Sequence, residues 1–398
     1  MCFLTPANPK VSSKVKYQET ITPPSLSECD GSVVSLFWDS GLHSRFHSSW
    51  LRHNCHCADC KQEGSGQKCL DAAHLPDRLT ISEVVLKGDK IELRWREEPN
   101  HFGYLPLQFL KDNSYDESTL TRKQVDRRPH AYQDEGMPRV RFSDVRASTD
   151  GLFSMMSMVH EFGMCLVEDM RTARGGAIER FDVVSTPDPI NIAYSSVRLD
   201  LHMDLAYYES PPGLQVFNCV RFDNLVVGGE SIFLDVFPLM EDFRSTYPQE
   251  FEDLARIPAT FQKIHFNRVR PVYMTYQRPH VAINADKEIT GVFWSPAFEG
   301  PLSVPEKDVE LYYRAYPIGK GHQRITLTEN YPSKSGEAIV FNNRRILHGR
   351  NEFSLNGGQR HFEGCYMNID EFLSHFRFLS HSKGRLTSVK RVGNQCWF

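Results

Sequence analysis

His202 and Asp204, in Leu199-Asp-Leu-His-Met-Asp-Leu205, put an imidazole and a carboxylate two residues apart. Residues i and i+2 of a strand share a face, so both side chains point one way and Met203 points the other. Such a pair is two-thirds of a facial triad. A second histidine completes it and leaves three adjacent positions of Fe(II) open for a bidentate keto acid and O2. His348, in Ala338-Ile-Val-Phe-Asn-Asn-Arg-Arg-Ile-Leu-His-Gly-Arg350, is the best candidate, because a strand running into Leu-His-Gly suits a ligand at a barrel mouth. His-x-Asp by itself is a weak signal, and its plain alternative is an ion-paired surface couple.

The accompanying segments sharpen it. Pro211-Pro-Gly-Leu-Gln215 follows the first pair, Gly228-Gly-Glu-Ser231 comes about two strands later, and Arg360 lies beyond His348 in Gly358-Gln-Arg-His-Phe-Glu-Gly364. A keto diacid co-substrate such as 2-oxoglutarate needs a buried cation for its distal carboxylate, and a planar guanidinium binds one bidentately. Arg360 is placed for that role, with Arg350 next in line and the Ser231 hydroxyl able to share the load. A second cluster, Cys55-x-Cys57-x-x-Cys60, offers three thiolates within one turn, a donor set suited to tetrahedral Zn(II) with a fourth ligand from elsewhere. On spacing alone Cys69, His56, His74 and His101 compete for that place.

Short elements must position these groups. Val33–Trp38 and Lys90–Trp95 read as strands, Gly151–Gly163 as an amphipathic helix, and Asp308–Ala315 as a helical patch. Many short strand-like runs separated by Gly- and Pro-bearing turns fill Ile192–Tyr366, which favours a jelly-roll over a parallel α/β sheet. The expected division is a tail over 1–28, a small β-rich domain over 29–115, a linker over 116–140, a catalytic domain over 141–385 and a second tail over 386–398. The 46 Lys and Arg against 50 Asp and Glu are too balanced for a nucleic-acid or anionic-membrane surface. No apolar run approaches the ~18–20 residues of a membrane span. Scattered cysteines without an apolar leader point to a reducing compartment, the cytoplasm first, with the mitochondrial matrix as the alternative.

The ordered series Trp50-Leu-Arg-His-Asn-Cys55-x-Cys57-x-x-Cys60, His202-x-Asp204, Pro-Pro-Gly213-Leu-Gln, Gly-Gly-Glu-Ser231, Leu-His348-Gly-Arg and Arg360-His-Phe-Glu-Gly-x-Tyr366 resembles the Fe(II)/2-oxoglutarate oxygenases related to taurine dioxygenase. It is most similar to their gamma-butyrobetaine and trimethyllysine dioxygenase branch, from Trp50 to about Leu379. The resemblance implies a mainly β fold, a double-stranded β-helix (jelly-roll) with flanking helices behind a small zinc-binding N-terminal domain. It implies iron on His202, Asp204 and His348, 2-oxoglutarate on Arg360 and Ser231, and Zn(II) on Cys55, Cys57, Cys60 and His101. It also implies a homodimer and hydroxylation, with O2 as co-substrate, of a small quaternary ammonium zwitterion such as gamma-butyrobetaine. Asn191, Tyr194, Tyr366, Phe181 and Trp294 are the expected substrate contacts. The sequence departs from the family near Phe181, at Leu205, and in Gly291–Ala297, which lacks an Asn-Asn pair that helps bind the substrate's acid end. Trimethyllysine, a trimethylammonium phosphonate or another small acid are the other expected substrates. The reading of a different class is a catalytically silent, zinc-stabilised binding or dimerisation protein, which has no chemical need for all four of His202, Asp204, His348 and Arg360.

Overall fold

The computed structural model describes residues 22–130, 136–170, 180–185, 194–267, 271–325 and 329–384. The terminal tails beyond them, and any targeting segment within, lie outside the described residues. The chain divides into two compact units after Asp126.

The first unit holds two three-stranded antiparallel sheets. One consists of Ser25–Cys29, Val33–Phe37 and His43–His47, the other of Ile81–Lys87, Lys90–Trp95 and Gly103–Pro106. Lys90–Trp95 alternates as a half-buried strand must, with Ile91, Leu93 and Trp95 inward. Those three join Val34, Leu36, Phe46 and Leu51 in one core. The structure departs from the expected boundaries at both ends of this unit. Ser25–Cys29 pairs as a strand inside the stretch expected to be tail. Glu117–Asp126, expected as linker, is a helix. Its polar sequence hides it, but Asp116 caps it by accepting from the Thr119 amide (2.9 Å) and the Ser118 hydroxyl (2.6 Å).

The second unit is a jelly-roll of two sheets. The larger runs Arg139–Arg141, Met164–Glu168, Ala338–Asn342, Leu214–Phe222, Arg360–Met367 and Arg180–Val184. The smaller runs Leu199–His202, Ile346–Arg350, Ser231–Asp235 and Glu329–Tyr331. All neighbours are antiparallel except the first pair of the larger sheet. Phe233, Ile339, Phe341 and Ile346 fill the space between the sheets. Helices Thr149–Phe162 and Ile369–Ser382 cover the outside of the larger sheet, where Phe153 stacks on Phe376. Val236–Thr246, Pro248–Arg256 and Glu306–Ile325 carry the core that takes Met203, Leu234 and Leu347 from the outside of the smaller one. Among the described residues no helix is long and apolar enough to cross a membrane.

Candidate active site

Ile346–Arg350 is buried at every position, as the middle of a sheet covered on both faces requires. Alternation then sorts its side chains: Leu347 goes to the outer helices, while Ile346 faces the interior with His348 two residues on. Leu199–His202 pairs with it so that His202 stands opposite His348. At Gly349 the two strands approach tightly, since a Cβ there would lie 2.6 Å from the Leu199 carbonyl oxygen. The motif Leu-His-Gly is therefore a packing requirement as much as a chemical one.

The strand expected to run through Asp204 ends at His202. Met203 does turn to the outer core, and Asp204 returns inward from the turn that follows. Asn343 brackets that turn: its Oδ1 accepts from the Asp204 amide (2.9 Å), and its Nδ2 donates to the carbonyls of Asp204 (3.0 Å) and Pro212 (3.1 Å). Leu205 next takes φ 59°, a left-handed conformation that costs a branched residue energy and survives only where surroundings enforce it.

The Nε2 atoms of His202 and His348 lie 3.4 and 3.8 Å from the two carboxylate oxygens of Asp204. One donor atom from each residue falls within 4.8 Å of the others. The Nδ1 of His202 faces the Asp200 carbonyl at 2.9 Å, which leaves Nε2 for the centre. Burial opposes charge on Asp204, yet His202, His348 and the Tyr366 hydroxyl together hold its carboxyl well below the usual range. Burial, with His202 second, pushes the His348 imidazole down to about 3. A carboxylate beside a neutral imidazole is the ligand form of each group. Burial opposes charge on His202, yet Asp204 raises its imidazole; two imidazole nitrogens and a carboxylate oxygen converging on one point fit a divalent metal of the iron type.

Tyr366 and Gln215 orient the carboxylate. The hydroxyl and the side-chain amide donate to the same Asp204 oxygen at 2.7 and 2.6 Å. Tyr366, expected as a substrate contact, thus also holds the Asp204 carboxylate. Gln215 closes the Pro211–Gln215 motif, where spacing gives it no role, and Asn343 has no signal of its own in the sequence.

Arg360 is 6% exposed and packs against the rings of Phe222, Phe353 and Phe362, the last at 4.2 Å. It donates to the Gly229 carbonyl (3.1 Å), and its Nε is buried without a partner. Burial, then the nearby Arg350, pulls its guanidinium down to about 9. A desolvated cation with donors to spare fits a carboxylate ligand. Gly229 makes room for it: φ is +81°, and a Cβ would come within 3.1 Å of Arg360 Nε. Arg350 donates to the carbonyls of Ser195 (2.9 Å) and Val197 (2.7 Å).

The three donors and both arginines open on one cavity of about 460 Å³, lined by His202, Asp204, His348, Arg350, Arg360 and Ser231. Phe181, Tyr194, Tyr207 and Tyr366 add aromatic walls, with Phe181 stacked on Tyr366 at 5.1 Å. Trp294 is not among the lining residues, contrary to expectation. It is 3% exposed, stacks on Tyr316 at 5.0 Å and packs beside His280 at 4.9 Å, a core position behind the smaller sheet. Asn191 lies outside the described residues.

In the first unit Cys55, Cys57, Cys60 and His101 place one donor atom each within 4.8 Å of the rest. The His101 Nε2 stands 3.9 Å from Cys57 Sγ and 3.8 Å from Cys60 Sγ. Arg52 donates to Cys60 Sγ (3.2 Å) and is clamped by Glu98. The competitors are engaged elsewhere: His56 meets Lys61, His74 meets Asp71, and Cys69 is exposed. Three sulfurs and a nitrogen converging on a buried point fit Zn(II).

A family model described as taurine catabolism dioxygenase TauD, TfdA family matches residues 140–366. A second, gamma-butyrobetaine hydroxylase-like, N-terminal, matches residues 26–114. Over 376 residues the chain is 28% identical to gamma-butyrobetaine dioxygenase of Pseudomonas sp. strain AK-1, covering 89% of this chain and 95% of that one. It is 26% identical over 387 residues to trimethyllysine dioxygenase of Meyerozyma guilliermondii, covering 88% and 94%. With gamma-butyrobetaine dioxygenase of Homo sapiens the identity is 23% over 377 residues, covering 87% and 94%.

Proposed function

Because this chain belongs to the TauD, TfdA dioxygenase family and is a 2-oxoglutarate-dependent dioxygenase, we propose that it hydroxylates a small quaternary ammonium zwitterion of the gamma-butyrobetaine type. The observation that carries the reading is a single cavity in which a His-Asp-His donor set, a buried arginine and a ring-lined wall meet. His202, Asp204 and His348 would hold Fe(II). Bound there, iron supplies O2 activation and hydrogen abstraction, driven by oxidative decarboxylation of 2-oxoglutarate to succinate and CO2. Arg360 and Ser231 take the distal carboxylate of 2-oxoglutarate and so fix its orientation. Gln215 and Tyr366 keep the Asp204 carboxylate aimed at the centre, and the rings keep water away from it.

Phe181, Tyr194 and Tyr366 supply ring faces to a cation, each worth roughly 0.5–2 kcal/mol when desolvated. Such a wall prefers a trimethylammonium to a primary ammonium, whose N–H donors would lose water without finding acceptors. In assays of substrate-dependent succinate formation, stepwise demethylation of gamma-butyrobetaine is expected to raise KM at each step. Tyr194→Ala is expected to cost more than Tyr194→Phe. Equal turnover of an isostere carrying tert-butyl in place of trimethylammonium would remove the cage.

For the first unit the proposal is a structural Zn(II) on Cys55, Cys57, Cys60 and His101. Binding free energy at such a site is folding free energy. Cys57→Ser is therefore expected to lower bound zinc and the melting temperature together, measured under reducing conditions, whereas His202→Ala leaves zinc content unchanged. Protein purified in reductant with no tightly held zinc would end this assignment. A homodimer, checked by sedimentation, and a reducing compartment, cytoplasmic or mitochondrial, complete the proposal.

A further inference from the structure

Arg52 is 4% exposed and sits on the last turn of the short helix Ser48–His53. Burying a guanidinium is costly unless well-placed partners replace its lost water. The Glu98 carboxylate takes its Nε and Nη2 edge side-on, at 2.5 and 2.9 Å. The fork is planar and rigid, so a carboxylate that fixes one edge also fixes where the remaining nitrogen points. That nitrogen, Nη1, donates to Cys60 Sγ at 3.2 Å.

The two partners belong to different halves of the cluster. Cys60 closes the segment that brings three sulfurs. Glu98 opens the turn that brings the nitrogen, since the His101 amide donates to the Glu98 carbonyl at 3.0 Å. Arg52 therefore ties the sulfur half to the imidazole half, reaching Glu98 across 46 residues of chain. It also treats one sulfur differently. Cys55 Sγ accepts from the neutral Cys57 amide at 3.4 Å, whereas Cys60 Sγ faces a cation. Three thiolates and a neutral imidazole on Zn(II) leave the cluster negative. A charged donor draws electron density from the sulfur that it meets, and its bond is about twice as strong as a neutral one.

We propose that Arg52 is a positioning residue of the zinc site: aimed by Glu98, it holds Cys60 on the metal and shields that thiolate from electrophiles. This rests on the zinc assignment made for the first unit. The thiolate is the nucleophile of a cysteine, so sharing its charge with both zinc and a guanidinium makes it a poor one. Without the guanidinium Cys60 becomes the first sulfur to react, and each alkylated sulfur costs the metal a ligand.

The test uses full-length wild type, Arg52→Met, Arg52→Lys and Glu98→Gln, purified in reductant and then freed of it under argon. Two readings are taken, neither of which needs turnover. One is the rate at which zinc passes to 4-(2-pyridylazo)resorcinol. The other is the order in which iodoacetamide modifies Cys55, Cys57 and Cys60, read by peptide mass spectrometry. Arg52→Met is expected to release zinc about tenfold faster, within the roughly 10–100-fold cost of removing an outer partner of a ligand. Cys60 is then modified ahead of Cys55 and Cys57. Arg52→Lys recovers only part, because an ammonium has no fork to bridge both partners. Glu98→Gln keeps the guanidinium but loosens its aim, and falls between wild type and Arg52→Met. An arginine that merely packs would, once removed, expose all three sulfurs alike. Equal acceleration of the three, or zinc release as slow as in wild type, overturns the proposal and leaves the zinc assignment standing. Wild type that carries no zinc overturns both. Should Arg52→Met fail to fold, Glu98→Gln decides alone: Cys60 reacting first supports the proposal, and no preference for Cys60 overturns it.

Discussion

Replacing His348 with alanine is expected to abolish the visible charge-transfer band that Fe(II) and 2-oxoglutarate give under argon, and turnover with it. His348 is one of three donors and the only one on its strand. Its Nε2 faces an Asp204 oxygen at 3.8 Å, and no other described histidine, cysteine or acid joins that cluster. Two remaining protein ligands cannot hold Fe(II) against water in the geometry that leaves adjacent positions for a keto acid and O2. The loss should exceed the roughly 10–100-fold typical of removing only an outer partner of a ligand. Unchanged zinc content and far-ultraviolet circular dichroism establish that the variant is folded. A folded His348→Ala protein that retains the band and the turnover would take His348 out of the metal site.

Arg360→Ala is expected to weaken 2-oxoglutarate far more than the primary substrate. The guanidinium sits among three phenylalanine rings and bonds one carbonyl. A carboxylate brought there without it is buried and unpaired, an error of about 2–5 kcal/mol for desolvated charge pairs. The KM for 2-oxoglutarate should rise tens-fold or more, and Arg360→Lys should recover only part, since an ammonium lacks the bidentate fork. The comparison is made at saturating primary substrate. An unaltered 2-oxoglutarate dependence in Arg360→Ala would move the role to Arg350.

Strand alternation and the motif order are legible because each is local: period two in Lys90–Trp95 of the first unit, and His-x-Asp or Leu-His-Gly within a few residues. What escaped was tertiary. Gln215 and Asn343 look like ordinary amides until the fold brings them to Asp204 from 11 and 139 residues away. Trp294 shows the converse. A tryptophan's residue type is the same in a cage or a core, and only its stacking on Tyr316 decides. The polar helix Glu117–Asp126 resembles a linker in sequence because its amphipathic signal is weak, while its cap lies in a single aspartate.

The pairing of the His202 strand with the His348 strand also sets an order of events. Tyr366 reaches the Asp204 carboxylate across 162 residues of chain. Closing so long a loop costs stability only logarithmically, but non-local pairing slows folding strongly. On the ribosome the first half emerges with His202 and Asp204 and waits for its partner strand. On the proposed ligand set, iron would be held only once Ile346–Arg350 has paired with Leu199–His202. A chain stalled or cut before Ile346 lacks His348 and so carries only two of the three residues proposed to hold iron.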